Sequence, residues 1–449
     1  MKRRVIYGIL IVALTLNLLV GIRVYQASAQ TAIKDNPYPS MELFTTVMEK
    51  VRSDYVDTTN LTYQELVYGA LKGMVGTLDP HSEFLEPEKY KELQDDTQGS
   101  FGGLGVVIQS KDNYITVISP IEDTPGFRAG ITAGDRIVKI NSKSTEKMSL
   151  GDAVKNLRGL PGTEVSITTF RPGGSVTREL KLTRAIINVD MVKDVNGKKE
   201  FPLGENGVGY IRLVQFSEKT GDELEAALAK LQKQGMRALI LDLRWNPGGL
   251  LDQAVEVCQK FLPRGKLVVT TEGRGAGQVS IRNAMGHGDT LVDKEGRPLP
   301  MVILANIGSA SAAEIVTGCL QDWKRAIVVG ETTFGKGSVQ SVLPLRDGAA
   351  LRLTTAKYYT PSHKVIHERG IIPDIEVKTT DEEERRIVMK RMPAALEQID
   401  DKERAEMKEF CDPQLDRAVD LLKGLMIYSQ ISPSGVKSPA QTEKIATVK

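Results

Sequence analysis

The chain has 449 residues, with Lys+Arg 59 against Asp+Glu 57 and a formal charge of +2. That length exceeds one ordinary domain and can bury two or three cores, while the charge balance argues against nucleic acid as the main partner. With 41% hydrophobic and 26% charged residues, and three cysteines that form no CxxC pair, it is no disulfide scaffold, zinc ribbon, collagen or multi-pass membrane protein.

Lys2, Arg3 and Arg4 precede an apolar run from Val5 to about Ile22. Ala27-Ser28-Ala29 then gives the small-x-small pattern of signal-peptide cleavage, with Gln30 as the new terminus. The run equally suits a retained N-terminal anchor. Residues 1–29 are thus an address, and the rest is expected outside the cytoplasm (periplasm or cell envelope), secreted or membrane-anchored. Residues 30–98 form a helical region, with Met41, Phe44, Val47, Met48 and Val51 at helical spacing. From Gly99 to Ala185 the pattern is β-rich: strands at Tyr114–Ile118, Arg136–Ile140 and Val165–Phe170 surround one helix near Leu150–Leu157.

Residues 186–379 alternate strand and helix, an α/β pattern. Val208–Val214 reads as a strand, and Thr220-x-x-Glu223 as a capping box opening a helix. Ala238–Leu243, Val302–Ala305 and Ala326–Val329 read as buried strands. Residues 380–428 are charged and helical, and 429–449 are a flexible polar tail.

Four segments can carry chemistry. Phe101-Gly102-Gly103-Leu104-Gly105-Val106 is either a tight loop or a loop that turns successive N–H groups toward an anion. Asp242-Leu243-Arg244-Trp245-Asn246-Pro247-Gly248-Gly249 follows a buried strand; it is an ordinary strand-to-helix turn or an oxyanion or phosphate site. Gly308-Ser309-Ala310-Ser311-Ala312-Ala313-Glu314 sets serines among small residues, either to keep a hydroxyl approachable or to cap a helix. Gly330 to Gly337 contains GxxxxGK, but Gly337 stands where a P-loop has Ser or Thr, and a strand follows where a helix should, so nucleotide binding is rejected. Lys336 has another use: a buried lysine loses its proton more easily and can then accept one from a serine. Gln340, four residues on, can hold that amine without adding charge.

The Gly-rich loop, followed by Ala129-Gly130-Ile131-x-Ala133-Gly134-Asp135-x-Ile137, resembles a PDZ domain over residues 99–185. That resemblance implies that Leu104, Gly105 and Val106 amides bind a peptide's terminal carboxylate while the peptide adds a strand to the sheet edge. Gly-Ser-Ala-Ser-Ala-x-Glu, a lysine 336 − 311 = 25 residues after the second serine, and a glutamine 340 − 336 = 4 further on together resemble the carboxy-terminal processing (tail-specific) serine proteases. Leu78-Asp79-Pro80-His81-Ser82, the Asn-Pro-Gly-Gly turn and Gly370-Ile371-Ile372-Pro373-Asp374 agree in order, so the resemblance covers about residues 40–380.

The resemblance implies an α/β protease core (crotonase/Clp-protease-like) with an inserted mainly-β PDZ domain and helical N- and C-terminal regions. It makes Ser311 the nucleophile, Lys336 the general base and Gln340 the residue that orients the lysine. It also implies an oxyanion hole from the N–H groups of Ala312 and Gly248, Gly248 being preferred to Gly249. A Ser/Lys dyad needs no cofactor. His363 and His367 lack an HExxH pattern and are read as solvated loop residues, so no metal site is expected.

The substrates expected are proteins or peptides with exposed apolar C-terminal tails, the PDZ domain gating the active site and Arg171 coupling it to the core. An adaptor protein is a further expected partner. The apolar faces at 37–98 and 381–428 predict self-association. The alternatives are a non-catalytic PDZ adaptor on an inactive core, which the retained Ser, Lys and Gln oppose, and a Ser-His-Asp protease. None of His81, His287, His363 and His367 lies near a Gly-x-Ser-x-Gly motif, which disfavours the latter.

Overall fold

The computed structural model describes residues 14–21, 23, 36–57, 61–111, 114–121, 123–132, 134–172, 176–275, 277–286, 288–391 and 401–431. The cleavage pattern at 27–29, His287 and residues 432–449 lie outside the described residues. Among the described residues no helix is long and apolar enough to cross a membrane. The chain divides into two compact units, Met1–Phe84 and Leu85–Lys449.

The first unit contains α1 (Pro37–Asp54) and α2 (Tyr63–Gly76). Asn36 Oδ1 caps α1 by accepting the Tyr38 N–H, and a Thr62/Glu65 capping box opens α2. Arg52 stacks on the Tyr63 ring at 3.8 Å and Tyr63 Oη donates to Glu49, which ties the two helices together. A short strand, β1 (Glu83–Leu85), spans the junction of the units.

The second unit begins with α3 (Pro87–Gln98), stopped by Gly99 at φ 67°. The β-rich region follows: β2 (Ser100–Gly103), β3 (Val106–Lys111), β4 (Tyr114–Pro120), α4 (Pro125–Arg128), β5 (Arg136–Ile140), β6 (Lys143–Ser144), α5 (Leu150–Leu157), β7 (Glu164–Arg171), β8 (Val176–Thr183) and β9 (Ala185–Asn188). Its antiparallel sheet runs β3-β4-β5-β7-β8, with β6 beside β5 and β3 at an edge. Ile115, Val117, Ile137, Val165 and Ile167 alternate onto one buried face and pack with Ala153 and Leu157 of α5.

The core comprises β10 (Val192–Lys193), β11 (Val208–Leu213), α6 (Thr220–Lys233), β12 (Ala238–Asp242), α7 (Leu251–Gln259), β13 (Leu267–Gly273), β14 (Val279–Asn283), β15 (Met301–Ala305), α8 (Ala312–Asp322), β16 (Ile327–Gly330), β17 (Ser338–Pro344), β18 (Ala350–Tyr359) and β19 (Ile375–Glu376). Helices α9 (Asp381–Lys390), α10 (Asp401–Glu409) and α11 (Pro413–Ile431) follow. The main sheet is ordered β10-β11-β12-β15-β16-β19, parallel except for β10. β17, β18, β13 and β14 pair antiparallel in a second sheet.

Buried on both faces, the parallel strands read as continuous apolar runs. Leu239, Leu241 and Ile303 face α6, α7 and α8. The alternate residues Ala238, Ile240, Val302 and Leu304 meet Ala418, Leu422 and Met426 of α11. The apolar face of α11, which the sequence assigned to self-association, therefore covers the core sheet.

Two local expectations need correction or extension. Thr220 does not cap α6: it accepts the Ser217 N–H and donates to the Gln215 carbonyl, while Glu223 reaches the Met191 and Val192 N–H groups instead. The run Asp242-Leu243-Arg244 is also more than a strand end. Arg244, buried at 2% exposure, donates to both Asp242 oxygens, to Asp412 at 2.9 and 3.0 Å and to Gln414. Tyr210 Oη and Arg391 also donate to Asp242. Burial works against the Asp242 carboxylate, but the Arg244 and Arg391 charges outweigh it and hold the group far below the usual carboxylate range. Asp412→Ala would break this network and is expected to lower the unfolding free energy by about 3–5 kcal/mol, measured as a lower urea midpoint at unchanged m.

Candidate active site

Three loops leave the carboxyl ends of the neighbouring parallel strands β12, β15 and β16, where ligands bind in open α/β sheets. The loop after β12 is the Asn-Pro-Gly-Gly turn, the loop after β15 carries Ser311, and the loop after β16 carries Lys336. Asn246, fully buried, joins the first two: its Nδ2 donates to the Leu213 carbonyl and its carbonyl accepts the Ala310 N–H. Ser309 is a strut rather than a nucleophile, its hydroxyl donating to the Leu243 carbonyl and accepting the Asn306 N–H.

Ser311 sits between β15 and α8 at φ 55°, ψ −116°, a backbone region strongly disfavoured for a residue with a Cβ. A strained strand-turn-helix corner of this kind thrusts a serine out of the sheet edge. The next N–H, that of Ala312, has no acceptor among the described residues, as befits the first turn of a helix. Gly248 lies directly against this corner: a Cβ there would fall 2.7 Å from Ser311 Cβ and 2.9 Å from the Ala312 nitrogen. Its N–H donates to Asn246 Oδ1 at 2.8 Å, whereas the Gly249 N–H has no acceptor among the described residues.

Glu314 binds the serine loop to the lysine loop. Its Oε2 accepts the Ser311 N–H at 2.9 Å and the Lys336 N–H at 2.8 Å. Its Oε1 accepts the Gly335 N–H at 2.7 Å and the Thr333 hydroxyl at 2.6 Å. Burial pushes the Glu314 carboxyl up against the pull of these four bonds. The sequence displayed Glu314 only as the last residue of the Gly-Ser-Ala-Ser-Ala-x-Glu motif, and nothing local revealed that it grips residues 333–336.

Lys336 is half-buried. Burial lowers its pKa, the Arg352 charge lowers it further, and the more distant Glu314 charge opposes both. No hydrogen bond joins Lys336 Nζ to Ser311 Oγ or to Gln340. The Gln340 amide instead donates to Ser338 Oγ at 2.9 Å and Thr354 Oγ1 at 3.3 Å. A register shift between Val339 and Gln340 in the β17–β18 ladder turns this side chain into the same space. Ser311, Ala312, Lys336, Gln340, Gly248 and Gly249 all border one cavity of about 610 Å³, walled partly by Phe216, Ile315, Val339 and Val342.

Leu104, Gly105 and Val106 border a separate hollow of about 150 Å³ between β3 and α5. Among the described residues the Leu104 and Gly105 N–H groups have no acceptor, and Gly105 takes φ 70° with Thr124 packed where a Cβ would lie. Arg171 is engaged within this domain, donating to both Asp135 oxygens and to the Gly130 carbonyl. His363 is exposed and pairs with Glu272, and among the described residues no group of three His, Cys, Asp or Glu could hold a metal.

An open-edged β domain followed by an α/β core that brings serine and lysine to one cavity is the architecture of a PDZ-bearing peptidase. The Peptidase family S41 model matches residues 207–377, and the PDZ domain model matches residues 92–169. A carboxy-terminal-processing protease of Bartonella bacilliformis is 42% identical over 84% of this chain and 83% of its own length. The carboxy-terminal processing protease CtpA of Bacillus subtilis is 36% identical over 74% of this chain and 68% of its own. A solved photosystem II D1 C-terminal processing protease is 31% identical, covering 75% of this chain and 92% of that one with a TM-score of 0.43. The chain belongs to peptidase family S41.

Gly248→Ala, which drives a Cβ into the serine corner, is expected to lower kcat by about 10²–10³-fold. Ala substituted for Gly424, within helix α11, provides the control, since a Cβ there meets nothing within 4 Å and the backbone is helical. Steady-state kinetics with melting curves would separate lost activity from lost fold.

Proposed function

We propose that the protein is a serine endopeptidase that cleaves proteins near their C-termini with a Ser311/Lys336 dyad. The observation that carries this reading is the meeting, in one cavity, of a strained serine, a free helix-start N–H and a lysine whose pKa is lowered by burial. Neutral Lys336 takes the Ser311 proton as Oγ attacks the scissile carbonyl. The oxyanion goes to the Ala312 N–H and to the glycine turn, each donor contributing about 3–4 kcal/mol. In the present conformation the Gly249 N–H is the available second donor, and Gly248 shapes the corner. Lys336 then protonates the leaving amine, and water hydrolyses the acyl-enzyme. Gln340 would steady the amine after turning from Ser338 and Thr354.

The PDZ hollow suits a free carboxylate on the Leu104 and Gly105 N–H groups, with the tail extending the β3 edge and Val106 at its start. Gating through Arg171 requires that its Asp135 bond be exchanged for one to the core. Export by the N-terminal segment, delivery by an adaptor and self-association through α1, where Met41 and Val47 are exposed, complete the reading.

Ser311→Ala and Lys336→Ala should each lose activity by on the order of 10⁴-fold or more. The assay is cleavage of an unstructured protein with an apolar tail, and amidating that tail should weaken cleavage by wild type. Residual cleavage in Ser311→Ala at the wild-type rate would end the assignment. The sign of the pH dependence follows from the lysine. Only its neutral form is a base, so kcat/KM should rise with pH through the Lys336 pKa and level off below the ordinary lysine range. A pH-rate profile checks this, and Arg352→Met should move the rise to higher pH. Arg171→Ala with unchanged tail-dependence would remove Arg171 from the coupling.

A further inference from the structure

Outside the dyad, Arg158 stands where two sites meet. It follows the last residue of α5 and borders the PDZ hollow together with Leu104 and Gly105. The backbone there is stitched to the entrance of the Gly-rich loop. The Gly159 N–H donates to the Gly102 carbonyl at 3.1 Å, and a Cβ on Gly103 would lie 3.9 Å from Arg158 Cα. The guanidinium packs over the Phe101 ring at 4.3 Å and donates to Asp96 Oδ1 at 3.2 Å. Asp96 belongs to α3, whose last residues Asp96, Thr97 and Gln98 border the cavity that holds Ser311 and Lys336.

We propose that Arg158 is the cationic ligand of the substrate's terminal carboxylate, released by Asp96 as the tail docks. This deepens the tail-binding reading of the PDZ domain and rests on it. The Leu104 and Gly105 N–H groups offer a carboxylate hydrogen bonds but no net charge. An arginine fork offers both, in the paired geometry that a carboxylate accepts. Among the described residues Arg158 is the only charged group bordering the hollow.

The pairing with Asp96 is one that a tail can displace. The two side chains are 31% and 50% exposed, so water screens their attraction. Asp96 also lies in the last turn of α3, the negative end of the helix dipole, and that turn carries no basic residue of its own. Arg158 supplies the counter-charge from the neighbouring domain. A docked tail therefore exchanges one carboxylate for another around the guanidinium and leaves Asp96 without its partner at the wall of the active-site cavity. Lys155, paired with Glu88 at 3.2 Å, keeps α5 beside α3 during the exchange. The Thr97 carbonyl, accepting the Glu218 N–H at 3.0 Å, holds the same turn to the core.

The test is fluorescence anisotropy of the full chain carrying Ser311→Ala, which binds without cutting, with a short labelled peptide ending in valine. The same peptide as its C-terminal amide is the reference arm. The Ser311→Ala chain should prefer the free acid. Adding Arg158→Gln should cut that preference by about ten-fold while leaving the Kd of the amide within about two-fold. Arg158→Lys, which keeps the charge, should recover part of the preference. Asp96→Asn should tighten binding of the acid by about two- to five-fold, because the competing carboxylate is gone. With Arg158→Gln already present, Asp96→Asn should have no effect, the mark of two residues acting through one contact.

An acid preference unchanged by Arg158→Gln would overturn the proposal. So would equal losses for acid and amide, which mark an arginine that only braces the fold. Asp96→Asn that leaves binding of the acid unchanged, or weakens it, would overturn the displacement. Should the melting curve show that Arg158→Gln does not fold, Arg158→Lys and Asp96→Asn decide. No preference for acid over amide before any substitution in α3 or α5 would instead defeat the tail-binding reading of the PDZ domain, an outcome distinct from either result at Arg158.

Discussion

The relative placement of the serine and lysine loops hangs on one buried carboxylate. Glu314 receives four hydrogen bonds, two of them from the backbones of Ser311 and Lys336. Serine and lysine belong to loops from different strands, and the side chains themselves are not bonded to one another. Their relative placement is therefore set through the backbone. The arrangement costs desolvation of a carboxylate, which four donors offset. It also holds Ser311 at a backbone angle that the residue would not choose alone.

The same carboxylate sits beside the lysine loop without pairing with the lysine itself. A charge on Glu314 attracts a proton to Lys336, yet its oxygens are occupied by N–H and O–H donors and do not reach the amine. Burial and Arg352 prevail and the lysine pKa falls. An acid that bonds the backbone but not the amine orders the loop without forming an ion pair with its lysine.

Much of this was legible in the amino-acid sequence, for reasons that differ by residue. Ser311, Lys336 and Gln340 stand at distinctive spacing in short motifs, and the buried apolar runs gave the central strands β11, β12, β15 and β16. A sheet edge beside the Gly-rich loop was implied by the PDZ resemblance. Glu314 was visible only as the last residue of the serine motif. That Tyr358 reaches the Lys336 carbonyl could not be read, because it depends on β18 folding back along β17. Thr220 and Glu223 had the right pattern for a capping box, but neighbouring backbone groups claimed both side chains. The apolar residues of α11 looked like surplus surface because their partner, the far face of the core sheet, is nearly 200 residues earlier.

That last contact governs the order in which the core can be completed. Arg244 stands two residues before Asn246, the strut of the glycine turn, and its outer partners Asp412 and Gln414 come from the start of α11. A ribosome delivers a polypeptide amino end first. Ser311 and Lys336 thus emerge before that helix, while one face of their sheet is bare and Arg244 has only half of its counter-charges. The sheet that carries both loops is covered on its second face only when α11 docks.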